Sequence, residues 1–163
     1  FLRRLAFHEL LRAFRGQRRG FDRRPVSADF HADVTAMLAI HLQHQLFLVL
    51  YQRVLASRLT FLPPAHALVI SATADVGRAL LALGRTAEAL PLLEEARALE
   101  EQHTPRVRAL RAKIAWGLAR ALRSGGRARA LAVEALEVSA TVPDRTAQRA
   151  RPDIQAFVAA SRR

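Results

Sequence analysis

A chain of 163 residues is long enough for one domain that buries roughly 70% of its unfolded surface. It is 51% apolar but only 6% aromatic, and it holds no cysteine, which excludes a disulfide framework and a thiolate metal site. The net charge of +12 raises a nucleic-acid partner, yet every basic residue except Lys113 is an arginine, and an Arg- and Ala-rich composition is also what the codons of a GC-rich bacterial genome produce.

Residues 1–27 carry eight arginines against Glu9 and Asp22, a local excess of +6 that is half the total. Two readings of this arm stay open: a contact for phosphates or acidic headgroups, and a solvated end whose acidic neighbour lies elsewhere. The chain opens on Phe1 rather than Met, as expected of a fragment or a processed product. Leu2 to Arg15 reads as a helix stopped by Gly16 and Gly20 to Pro25 as a loop, and residues 1–30 receive no further assignment. No signal peptide is read, because Arg3 and Arg4 lead into a segment broken by His8, Glu9 and Arg12.

Ser27 or Asp29 caps the next helix, which the pattern extends to about Leu59. Val34 to Leu50 is its most apolar run, but His41, Gln43, His44 and Gln45 interrupt it, so no membrane span is expected and a cytoplasmic setting is the default. Pro63 and Pro64 force a break. Ala65 to Leu83 forms a helix with Leu68, Val69, Val76, Leu80 and Leu83 on its apolar side, and Gly84-Arg85 turns the chain. Thr86 to about Glu101 follows, with Leu90, Leu93 and Ala96 inward and Glu94, Glu95, Glu100 and Glu101 outward. Thr104-Pro105 signals a helix start, and Val107, Leu110, Ile114, Leu118 and Leu122 carry that helix to Gly125-Gly126. Arg127 to Ser139 is next. Pro143-Asp144 opens a closing segment that is firmest over Asp153 to Ser161, with Ile154, Phe157 and Val158 as its apolar stripe and Pro152 delimiting or kinking it. No strand-like alternation of useful length appears, so the fold class is all-α.

The Gly turn between paired helices occurs twice. Arg78-Ala79-Leu80 and Gly84-Arg85 match Arg120-Ala121-Leu122 and Gly126-Arg127 at a common offset of 42, the distance from Arg78 to Arg120. A small residue, Gly77, lies midway along the first helix, and Ala89, Leu93 and Ala96 lie on the second. Antiparallel helices approach closely only where small side chains meet and a large neighbour fills the gap. On these residues the chain resembles a tetratricopeptide repeat of the longer, kinesin-light-chain-like kind. Val76 to Arg85 with Glu88 to Glu94 carry the match, and Leu62 to His66 with Val69 are similar to that family's lead-in turn. His31 to Val34 resembles a second lead-in, and Tyr51 to Leu55 the end of a second helix. The tail from Thr104 resembles the terminal repeat and closing helix of repeat regions that follow serine/threonine kinase domains in GC-rich bacteria.

The resemblance implies an α-solenoid of antiparallel helix pairs with a C-terminal capping helix. A degenerate repeat is placed over residues 31–62, a repeat over 63–101, a terminal repeat over 104–140 and the cap over 144–163. His31 to His66 spans only 35 residues, seven short of the repeat, with no Gly turn between. Seven residues are about two helical turns, so one continuous helix over 31–59 is expected. Its Leu46, Phe47, Leu48, Val49 and Leu50 would lack partners, which favours a homodimer through residues 31–60. Glu134 and Glu137 fall where apolar residues would be wanted.

No pattern in the chain points to chemistry. His41 and His44 stand one turn apart without a neighbouring carboxylate or a third ligand, so they read as polar helix-face residues and neither metal nor cofactor is expected. Ser71, Ser139 and Ser161 lack a nucleophile-elbow context, and Gly125-Gly126 lacks the Lys-Ser/Thr of a phosphate loop. Glu94, Glu95, Glu100 and Glu101 read as a solvated face within pairing range of Arg97. An enzyme is therefore not expected.

The resemblance places a ligand along the first helices of successive repeats, facing Ser71, Ala74, Arg78 and Leu81 and then Lys113, Trp116, Arg120 and Arg123. Arg78, Leu81, Lys113, Trp116, Arg120 and Arg123 are the candidate groove residues. They would suit an acidic peptide or one with a free C-terminal carboxylate, with Trp116 as a flat apolar contact. The other reading makes Trp116 core and the arginines solvated surface. The expected function is a protein–protein interaction scaffold. A non-catalytic C-terminal region of a serine/threonine protein kinase and a basic helical nucleic-acid-binding protein are the alternatives.

Overall fold

In the computed structural model, residues 28–103, 107–142 and 145–161 are described, and they form six α-helices with no strand among them. These are α1 (Ala28–Phe61), α2 (Ala67–Ala82), α3 (Thr86–His103), α4 (Arg108–Leu122), α5 (Gly126–Thr141) and α6 (Arg145–Ala160). The helix expected over Leu2 to Arg15 and the start signals Thr104-Pro105 and Pro143-Asp144 lie outside the described residues. The chain divides into two compact units, residues 1–38 and 39–163. Of the first, the described part is the opening of α1, where Asp33, Thr35, Ala36 and Leu38 are exposed.

α1 runs without a break through His44, because no glycine or proline interrupts residues 28–61. Arg58 ties its end to the start of α2 by donating to the carbonyl of Leu68 at 2.5 Å. α2 begins two residues later than the apolar pattern suggests, since His66 is its N-cap and its Nδ1 accepts from the Leu68 amide at 3.2 Å. That start leaves Leu68 exposed rather than inward, while Val69 and Ile70 are buried. At the far end of α2, Gly84 takes φ +77°. The Arg85 amide returns to the Leu80 carbonyl and the Gly84 amide to that of Leu81, a Schellman closure that needs the left-handed glycine. α6 continues through Pro152 instead of being delimited by it, and buries Ile154 and Val158.

Helices α2 and α3 pack as one hairpin and α4 and α5 as another; α4 also lies against both α3 and α2, and α6 covers α5 and touches α4. The join between hairpins is steric. Leu93 of α3 is fully buried, and a Cβ built on Gly77 of α2 would stand 2.8 Å from its Cγ. A Cβ on Gly117 of α4 would stand 3.0 Å from its Cδ2. One leucine thus fills a space that two glycines leave open.

The second helices, α3 and α5, are joined differently, through long ion pairs. Arg97 reaches Glu134 at 2.9 Å and Arg127 reaches Glu94 at 2.8 Å. Burial works against the Arg97 charge, but hydrogen bonds to Glu134 and Glu101 outweigh it and hold its pKa above the usual arginine value. Glu100, expected on the solvated face, is instead 0% exposed and meets Arg111 of α4 at 3.1 Å. Glu134, which looked misplaced, is half-buried because Arg97 and Arg111 converge on it.

Two stability predictions follow from these contacts. Gly77→Ala should lower the urea midpoint of the native chain, since the clash with Leu93 exceeds the gain of about 1 kcal/mol in helix propensity. In a Leu93→Ala background, itself about 2–5 kcal/mol less stable, the same change should become stabilising. An equal sign in both backgrounds would contradict the wedge. Arg111→Met, which strips a buried carboxylate of a partner, should cost about 2–3 kcal/mol, against under about 1 kcal/mol for Arg127→Met at the exposed pair.

Candidate binding face

The face is built from α2 and α4. Ser71 and Asp75 reach Lys113, and one turn further on the stem of Arg78 lies across Gly117, so the two helices run parallel. Lys113 Nζ donates to Ser71 Oγ at 2.9 Å and to Asp75 Oδ2 at 3.1 Å. The Arg78 guanidinium meets the other oxygen, Asp75 Oδ1, at 3.4 Å. Asp75 therefore holds cations from both helices at once.

This geometry sorts the expected groove residues. Arg78 and Leu81 are half-buried, and Arg120 and Arg123 are exposed. Arg78 and Arg120 match in sequence but not in setting: one is half-buried across a neighbouring helix and the other is exposed. Lys113 is engaged by Asp75 and Ser71 and is less available to a ligand than its sequence position suggested. Ala74 is fully buried. Trp116 is 9% exposed and meets Phe157 of α6 edge-on, with ring centroids 5.6 Å apart. It belongs to the core and offers a ligand no open face. Asp75 escaped the sequence reading. The 42-residue offset between Ser71 and Lys113, equal to that of the repeat, was the signal that could have led to it.

Arg123 is the one described non-glycine residue with a positive φ, +64°. It follows the last turn of α4 and donates its amide to the Ala119 carbonyl at 3.1 Å. An L side chain there costs roughly 1–2 kcal/mol that glycine avoids.

Elsewhere the helix faces carry little organised chemistry. His41 lies 3.4 Å from the Gln45 amide nitrogen, and no group of three or more His, Cys, Asp or Glu able to hold a metal ion occurs among the described residues. The span Asp33–Phe61 of α1 is long and apolar enough by length and composition to cross a membrane, with mean hydropathy 1.4 in its most apolar window. The sequence reading weighed its histidines and glutamines against that.

Arg123→Gly should raise thermal stability by about 1 kcal/mol or a little more at the melting temperature, measured by circular dichroism. No change, or a loss, would show that the left-handed turn is not strained.

The chain matches no family model, no curated protein and no solved structure in comparisons with all three.

Proposed function

We propose that the chain is a helical-repeat scaffold that holds a partner peptide, acidic or ending in a free carboxylate, along α2 and α4. One observation carries the reading. The first helices, α2 and α4, lie close and parallel across two glycines, whereas α3 and α5 make no close backbone approach and are bridged by ion pairs of long side chains. Helix pairs set closer on one side than on the other curve towards the close side, which is how helical repeats make an extended concave surface. In this reading Arg78, Leu81, Arg120 and Arg123 line that side, and Lys113 is held back by Asp75. Arginine forks suit carboxylates in two-bond geometry, and a preformed helical surface loses little freedom on binding. The strained backbone at Arg123 supports the same reading, since a position that glycine would fill more cheaply instead carries a cation at the end of the face.

The test is fluorescence anisotropy with a labelled acidic peptide that has a free C-terminal carboxylate. Arg78→Glu with Arg120→Glu should weaken binding at least about tenfold with helicity unchanged. Lys113→Met should leave affinity within about threefold, because its single amine is held by both Ser71 and Asp75, whereas Arg78 meets Asp75 through only one guanidinium nitrogen, at 3.4 Å. Equal affinity of the double variant and the native chain would overturn the proposal. Steeply salt-dependent binding of duplex DNA, with no peptide binding, would transfer the function to nucleic acid.

A further inference from the structure

Ten of the twelve exposed large apolar side chains among the described residues stand on α1, from Phe47 at 39% exposed to Phe61 at 85%. From Val34 to Gln52 the helix has no charged residue. Monomeric proteins rarely leave so much contiguous apolar surface uncovered. Leu48, Tyr51 and Leu55 pack on Val76, Ala79, Leu80 and Ala89, so one side of the helix is already satisfied. About a quarter turn away, at 100° per residue, Ile40, Phe47, Val54 and Phe61 recur every seven residues.

Besides Arg58, a shallow hollow on this helix is lined by Leu50, Arg53, Val54 and Ser57. These four are spaced i, i+3, i+4 and i+7, the four-residue hole that takes a knob from a facing helix. An antiparallel pair centred between positions 50 and 51 brings Phe47 of one copy opposite Val54 of the other. It also sets Ile40 opposite Phe61, and symmetry makes each contact twice. The same register places Gln43 opposite Arg58. A parallel pair would instead align Arg53 and Arg58 with their own copies, with no acidic residue between positions 34 and 61 to compensate.

We infer that the chain forms a symmetric homodimer by antiparallel pairing of α1, with Phe47 of each copy seated among Leu50, Arg53, Val54 and Ser57 of the other. Lipid fits this surface less well. Arg53 and Arg58 lie within the stretch Asp33–Phe61 that hydrocarbon would have to cover, and charged side chains there are costly. The pairing uses no residue of the α2–α4 face, so either surface can fail without the other.

Light scattering on the 163-residue chain at micromolar concentration should give twice its 18.1 kDa mass. Phe47→Glu should halve that mass and leave the circular dichroism unchanged. The chain has no cysteine, so introduced thiols report register directly. Ile40→Cys mixed with Phe61→Cys should cross-link on mild oxidation, and neither should cross-link alone. These thiols keep the register testable should Phe47→Glu not fold. A native chain of single mass, or self-linkage by Ile40→Cys alone, would overturn the pairing. So would flotation of the native chain with phosphatidylcholine vesicles as a monomer.

Discussion

Between Gly77 on α2 and Gly117 on α4 there is room for a single leucine, and Leu93 of α3 fills it. The two backbones approach because neither carries a side chain at the crossing, and a leucine from the intervening helix supplies the contact that both lack. A methyl group on Gly77 would sit closer to Leu93 than packed carbon atoms allow. The rest of the α2–α4 face depends on this spacing. Arg78 can lay its stem across Gly117, and Asp75 can reach Lys113, only while the helices stay this close. A larger gap would leave Asp75 with one cation in place of two.

The opposite side of the hairpins solves a different problem. α3 and α5 make no close backbone approach, and long charged side chains reach from one to the other. Arg97 and Arg111 from neighbouring helices converge on Glu134, while Glu100 is enclosed with Arg111 beside it. A buried carboxylate is tolerable only when a cation accompanies it, so Glu100 constrains where Arg111 lies more firmly than an exposed pair such as Arg127–Glu94 does. Close packing on one side and charge spacing on the other together set the angle between the hairpins.

Some of this was legible from residue order alone. Gly84 and Gly125-Gly126 punctuate the hairpins, Pro63-Pro64 ends α1, and the Gly77, Ala89, Leu93, Ala96 set marks a close crossing, because each of these signals acts within a turn or two of its own position. The errors have the opposite character. Glu100 looked solvated because its partner Arg111 lies on another helix, 11 residues further along. Glu134 looked misplaced because Arg97 sits 37 residues away. Of the two readings open for Trp116, ligand contact or core, the structure bears out the core, because the last helix brings Phe157 against its ring. Lys113 looked available until Asp75 arrived from a helix 38 residues earlier. Local periodicity ranks faces by polarity. It cannot tell which polar face meets a complementary one across the fold.

α1 shows what happens when the close-crossing device is missing. Each hairpin buries its apolar stripes against its own second half, because a glycine turn folds the chain back. Between His31 and Phe61 there is no glycine to make such a turn, and α1 continues through the span as one helix. The second half finds partial cover, since Leu48, Tyr51 and Leu55 dock on α2 and α3. The remaining sides keep their apolar residues but have no partner within the described part of the chain. Without a turn to fold it back, α1 carries its apolar residues as external surface, and the seven-residue recurrence of Ile40, Phe47, Val54 and Phe61 is the pattern that another helix covers best.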